Sequence, residues 1–144
     1  MATRSVIGVM QGDVYKAVYC NWDGYLAHNG AILDRFYDSA KANRLVSMGH
    51  ISILGVDIGE KHDFHDKIAR HESGFASQCT FYNRDRGEND SYQTMDNWED
   101  FKEYFVEACG GDYAYIMKEG VWYVCTVRDL VLRPLAAELE LTSA

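Results

Sequence analysis

Residues 5–20 read SVIGVMQGDVYKAVYC. Ser5 to Met10 is β-branched and apolar, Gly12-Asp13 follows, and Val14 to Cys20 resumes. Two apolar runs parted by Gln-Gly-Asp predict a β-hairpin. In the second run Val14, Lys16 and Val18 alternate with Tyr15, Ala17 and Tyr19, so both faces carry apolar groups. A second pair of runs, Tyr113 to Met117 and Val121 to Val127, is joined at Glu119-Gly120 and predicts a second hairpin.

Between the hairpins the spacing becomes helical. Ile32, Leu33, Phe36 and Tyr37 recur at helical intervals. Asp38-Ser39 provides a cap for a second helix holding Leu45, Val46 and Met48, and Gly49 provides its stop. Ile51 to Gly55 is a short apolar segment. Residues 56 to 77 are polar and predict a long, mobile loop, a length that usually signals function or disorder. Gln78 to Tyr82 reads as a strand, Asn83 to Asp90 as a charged loop and Tyr92 to Met95 as a strand. Asp96 is the expected N-cap of a helix carrying Trp98, Phe101, Phe105 and Ala108 on one stripe, stopped at Gly110-Gly111. Pro134 breaks the chain before a terminal helix from Leu135 to Leu141. This order predicts an α+β fold in which an antiparallel sheet from two hairpins carries helices packed on one face. At 144 residues we expect one domain spanning 1–144.

The formal net charge is −8. An acidic chain does not draw nucleic acid through its general field, so a phosphate site has to be a local basic cluster. No apolar run approaches the ~18–20 residues of a membrane helix. With no secretory signal, a cytoplasmic location follows, and Cys20, Cys79, Cys109 and Cys125 read as reduced, buried thiols. Ten tyrosines suit half-buried surfaces, and we expect a homo-oligomer.

Phe81 and Tyr82 lead into Arg84, Asp85, Arg86 and Gly87. A guanidinium fork grips phosphate oxygens in pairs, an aromatic ring stacks on a base, and glycine admits close backbone approach. The segment therefore makes a nucleotide-sized corner, or else a turn in which Arg84 and Arg86 pair with Asp85, Glu88 or Asp90. Trp22 and Tyr25 flank Gly24 in a turn where glycine supplies a positive φ, and they offer an aromatic wall or a structural plug. His62, His65 and His71 lie in an acid-rich loop but match no zinc signature, so no metal or other cofactor is expected. Cys79 with His71 is the remaining nucleophile–base pair to consider. Without a Walker loop, a nucleophile elbow or a dinucleotide fingerprint, binding outranks catalysis.

Thr3-Arg4-Ser5-x-Ile7, Tyr19-Cys20-x-Trp22-Asp23-Gly24-Tyr25, Ile51-Ser52-x-Leu54-Gly55 and Arg84-Asp85-Arg86-Gly87-Glu88 together resemble a group of small phage-encoded proteins, across residues 3 to about 127. Leu26 and His28 depart from that pattern. The Phe81–Arg84 pair and the chain length also resemble the type-1 Thoeris anti-defence sponges. That resemblance implies sequestration of a cyclic ADP-ribose-type signal, with Phe81 on the base, Arg84 on phosphate and Asp112 nearby. The competing expectation is an acidic inhibitor that covers a basic host protein through the helix from Trp98 to Ala108. A nucleotide hydrolase is the third.

Overall fold

The computed structural model describes residues 2–143. The first expected hairpin is present, with Gln11 inside the strand and not in the turn: β1 (Ser5–Gln11) pairs antiparallel with β2 (Val14–Cys20), from Ser5 opposite Cys20 to Gln11 opposite Val14. The second hairpin, β6 (Tyr113–Lys118) with β7 (Val121–Thr126), is equally regular.

How the hairpins join corrects the expected topology. β1 lies parallel to β6, and β2 meets β3 (Ile51–Ile53) in parallel at Cys20 and Ile51. The sheet is therefore mixed and eight-stranded, ordered β4-β3-β2-β1-β6-β7-β8, with β5 (Gln93–Met95) also on β2. The edge strands β4 (Thr80–Phe81) and β8 (Arg133–Pro134) are short, and Pro134 sits on an edge where its missing N–H costs no ladder bond.

Helices cover both faces, not one. A π-helical turn, Leu26–Gly30, runs into α1 (Ala31–Phe36), and α2 (Ser39–Ser47) follows with Asp38 as its cap, accepting the Lys41 N–H at 2.8 Å. Ile32, Leu33, Leu45 and Val46, with Leu135 of α5 (Leu135–Ser143), pack on Ile7, Val9, Val18 and Tyr115. The opposite face carries α4 (Trp98–Glu103) and its π-helical continuation Tyr104–Ala108, which bury Phe101 and Phe105 against Val6, Ala17, Ala114 and Ile116. Asn97, not Asp96, caps α4, accepting the Asp100 N–H at 2.8 Å. A strand covered on both sides has no solvated face, which is why β1 is apolar from Val6 to Met10 instead of alternating.

Residues 82–86 fold as a short helix, α3 (Tyr82–Arg86), where a charged loop is expected from sequence. Gly87 closes it at φ 76°, a left-handed C-terminal cap with open space where a Cβ would stand. Gly24 has the reverse role. The positive φ of its turn belongs to Asp23 at 57°, while a Cβ on Gly24 would fall 2.8 Å from Ser5 Cβ. Glycine is needed there for close packing, and the exposed Trp22 and Tyr25 do not plug the sheet.

Segment 56–77, expected to be mobile, is tied down at both ends. The Val56 N–H donates to Ala76 O, Asp57 to Ser77 and Cys79 to Asp57, at 2.9–3.1 Å. Lys41 reaches across from α2 to donate to Val56 O and to the Asp57 carboxylate. No helix among the described residues is long and apolar enough to cross a membrane.

Candidate functional site

Burial divides the expected phosphate corner in two. Phe81 is fully buried in the larger core cluster, and the Arg84 guanidinium lies over its ring at 4.7 Å. Arg84 donates from Nε to Asp85 at 2.9 Å, from Nη1 to Ile58 O and Gly59 O at 3.0 Å, and from Nη2 to Cys79 O at 3.0 Å. Asp85 is buried as well. It accepts the Phe81 N–H at 2.8 Å and the His62 N–H at 3.1 Å. Burial alone would raise the pKa of Asp85. The Arg84 hydrogen bond and the two backbone N–H donors outweigh it and hold the carboxyl below the ordinary 3.8. Phe81 has no free face for a base, and four of Arg84's five N–H donors are already bonded, which leaves no pair of donors for a phosphate. The pair is a structural clamp that fastens the 56–77 segment to β4 and α3, which is the salt-bridged alternative.

Arg86 is placed differently. Its guanidinium lies 4.5 Å from the centre of the Phe64 ring and 4.8 Å from that of Tyr82, with the two rings 5.4 Å apart. Its only acidic partner among the described residues is Glu88, itself half exposed. A cavity of about 630 Å³ opens here, within the size range of small-ligand pockets; Lys61, His65 and Gly87 share its lining with Arg86, and so do Asp63 and the edge of the Arg84–Asp85 pair. The clamp holds Phe64 in place: His62 is tied to Asp85, and His65 donates its N–H to Asp63 at 2.9 Å on the other side. Lys61, Phe64 and His65 are functional candidates that sequence reading missed. Their one signal is an apolar ring set between histidines in a polar loop.

The other expected residues do not converge on this corner. Tyr25 and Asp112 line a separate cavity of about 460 Å³, with Thr3 and Arg128, at the end of β1 and β6. Trp22, 45 % exposed, lines neither cavity. Of the histidines, His62 belongs to the clamp, His65 to the rim, and His71 packs edge-on to Phe36 with Nδ1 3.1 Å from Ser73 Oγ. Among the described residues no group of three or more His, Cys, Asp or Glu is arranged to hold a metal ion.

Three of the four thiols, Cys20, Cys79 and Cys125, are disarmed by burial. Cys20 is pushed up to about 12, first by loss of solvent, and Cys125 likewise. Burial also raises Cys79, whose sulfur lies 3.3 Å from the Tyr37 hydroxyl; its hydrogen bonds are to Tyr37 and Gly55, and none joins it to His71. Such thiols remain protonated near neutral pH and are poor attacking groups.

Comparison with known proteins gives no matching family model, and no curated protein or solved structure that matches.

Proposed function

We propose that this chain is a non-catalytic binding protein that captures a small nucleotide-type ligand at the Arg86 corner. The observation that carries this reading is an exposed guanidinium stacked on Phe64 and Tyr82 at the mouth of a cavity also lined by Lys61 and His65. A phosphate replaces Glu88 on Arg86 at little cost, because an exposed ion pair contributes only ~0–1 kcal/mol. The rings provide a face for a base. As a phage-encoded anti-defence protein in the host cytoplasm, it would act by withholding a cyclic ADP-ribose or cyclic oligonucleotide signal, the simplest role open to a site with no activated nucleophile.

Titration calorimetry with cyclic ADP-ribose isomers and cyclic dinucleotides tests it, followed by heat release and chromatography of the ligand. Arg86→Ala and Phe64→Ala should each weaken capture about ten- to a hundredfold, since a charge-assisted bond or a stacked base contributes ~1–3 kcal/mol. The released ligand should be intact. Unchanged affinity in both variants removes this corner from the site, and an altered ligand makes the protein an enzyme.

A second reading has its own observation. Asp96 just before α4, and Glu99, Asp100, Glu103 and Glu107 along it and its continuation, are all exposed, and Lys102 pairs with Glu99. A basic protein partner fits that face. Reversing Asp100 and Glu103 to Lys would abolish such a complex and leave nucleotide capture intact.

A further inference from the structure

The edge of β2 has a gap. β3 pairs with it at Cys20 and β5 at Tyr15 to Ala17, which leaves Tyr19 between them. The Tyr19 backbone N–H is satisfied by a side chain instead, donating to His50 Nδ1 at 3.1 Å. That bond fixes the neutral imidazole: Nδ1 accepts, so Nε2 carries the hydrogen and is a donor. A groove of about 570 Å³ lies over the gap, lined by Arg4, Tyr19, His50, Gln93, Tyr104 and Cys109.

The groove is rich in donors. Arg4 has no carboxylate partner among the described residues; its guanidinium hydrogen-bonds the Tyr19 hydroxyl, and its Nη1 lies beside Gly110. The Tyr104 hydroxyl is buried and has no hydrogen-bond partner of regular geometry; its neighbour is the Cys109 thiol, a weak acceptor. A buried hydroxyl left unpaired is costly, and in native proteins such groups are rare. Among the described residues no carboxylate lines the groove itself. Asp100, Glu103 and Glu107 line the adjoining cavity beyond Tyr104. The Arg4 end is therefore the positive one, and the tyrosine rings with Ala108 form a partly apolar wall.

We infer that this groove is a second ligand site, separate from the Arg86 corner, that takes a small oxyanion (a phosphate or a carboxylate) carried on a planar ring. Arg4 holds the anion with its planar fork, His50 Nε2–H and the Tyr104 hydroxyl bond the same group or the ring's polar edge, and the tyrosine rings cover the body. Cys109, the one cysteine that is not buried, reports occupancy.

The probes are adenosine 5′-monophosphate and benzoate, one for each source of the oxyanion, with adenosine as the uncharged control. Binding is read by calorimetry and by protection of Cys109 from iodoacetamide. At least one anion should bind and slow Cys109 alkylation, and adenosine should do neither. Arg4→Gln should weaken that anion at least about tenfold, the loss of one charge-assisted contact. Tyr104→Phe should weaken it too, while leaving the melting temperature equal to or above wild type, because it removes an unpaired buried hydroxyl. Protection of Cys109, which lines this groove and not the Arg86 cavity, separates the site from the proposed nucleotide corner. Adenosine binding as tightly as its monophosphate, an unaltered affinity in Arg4→Gln, or no protection of Cys109 by either anion would each overturn the assignment. A Tyr104→Phe variant that melts earlier overturns the role given to that hydroxyl.

Discussion

Arg84 and Arg86 stand two residues apart on one short helix, yet their side chains are 12 % and 45 % exposed. Both lie over aromatic rings, and both have an acidic partner close in sequence. They differ in what the rest of the fold brings to them. Arg84 meets three backbone carbonyls from residues 58, 59 and 79 and a carboxylate already ordered by two N–H donors. Arg86 meets only a half-exposed glutamate and two ring faces. The same residue type is structural where nearly all its donors are bonded and available where they are not.

The largest effect should come from breaking the saturated side. Arg84→Ala leaves Asp85 buried and stripped of its cation, a change that typically costs about 3–5 kcal/mol. At ~2–4 °C per kcal/mol for a chain near this size, a thermal melt should fall by roughly 10 °C. Arg84→Lys should recover only part of that loss, since an ammonium cannot reach the aspartate and three carbonyls from one planar fork. A melt of Arg84→Ala within a degree or two of wild type would dissolve the contrast between the two arginines.

Acid should separate them next. The folded-state pKa of Asp85 lies below its unfolded value of about 3.8, so the unfolded chain takes up this proton first. Its stabilising contribution is complete above that value and is lost as pH falls through the lower, folded one. Melting temperature against pH should therefore drop steeply on the acid side in wild type and in Arg86→Ala. Asp85→Asn, already weakened at neutral pH, should show a shallower acid limb. Parallel limbs in all three proteins would mean that other carboxylates govern the acid transition.

The hairpins were legible because register and turn are local: alternation, Gly12-Asp13 and Glu119-Gly120 each act within a few residues. The parallel β1–β6 contact joins residues more than a hundred positions apart, and no local pattern encodes it. A trace was present in β1, whose unbroken apolar run fits a strand covered on both faces. The site was half legible for the same reason. Aromatic and basic residues at 81–86 mark the place, but whether each is saturated depends on Ile58, Gly59 and Phe64, which the folding of a separate segment delivers. The Tyr19–His50 bond was wholly hidden, because it replaces a ladder bond at a gap that only strand order creates.

The smallest effect should be on the stability of the open side. Arg86 and Glu88 are each close to half exposed, so water screens their attraction and already solvates both groups. Removing either charge should change stability by no more than about 0.5 kcal/mol, the usual range for surface substitutions. Arg86→Ala also loses stacking on Phe64 and Tyr82, worth ~0.5–1 kcal/mol at an exposed site, so it should lie slightly below Glu88→Gln. The two variants should part on ligand. Glu88→Gln frees Arg86 from its competing anion and should bind a nucleotide as tightly as wild type or tighter, whereas Arg86→Ala should bind it more weakly. Chemical denaturation of both, beside titration of both, gives four numbers. Equal affinities, or a stability loss in Arg86→Ala approaching that of Arg84→Ala, would make Arg86 a second structural clamp and close the corner as a binding site.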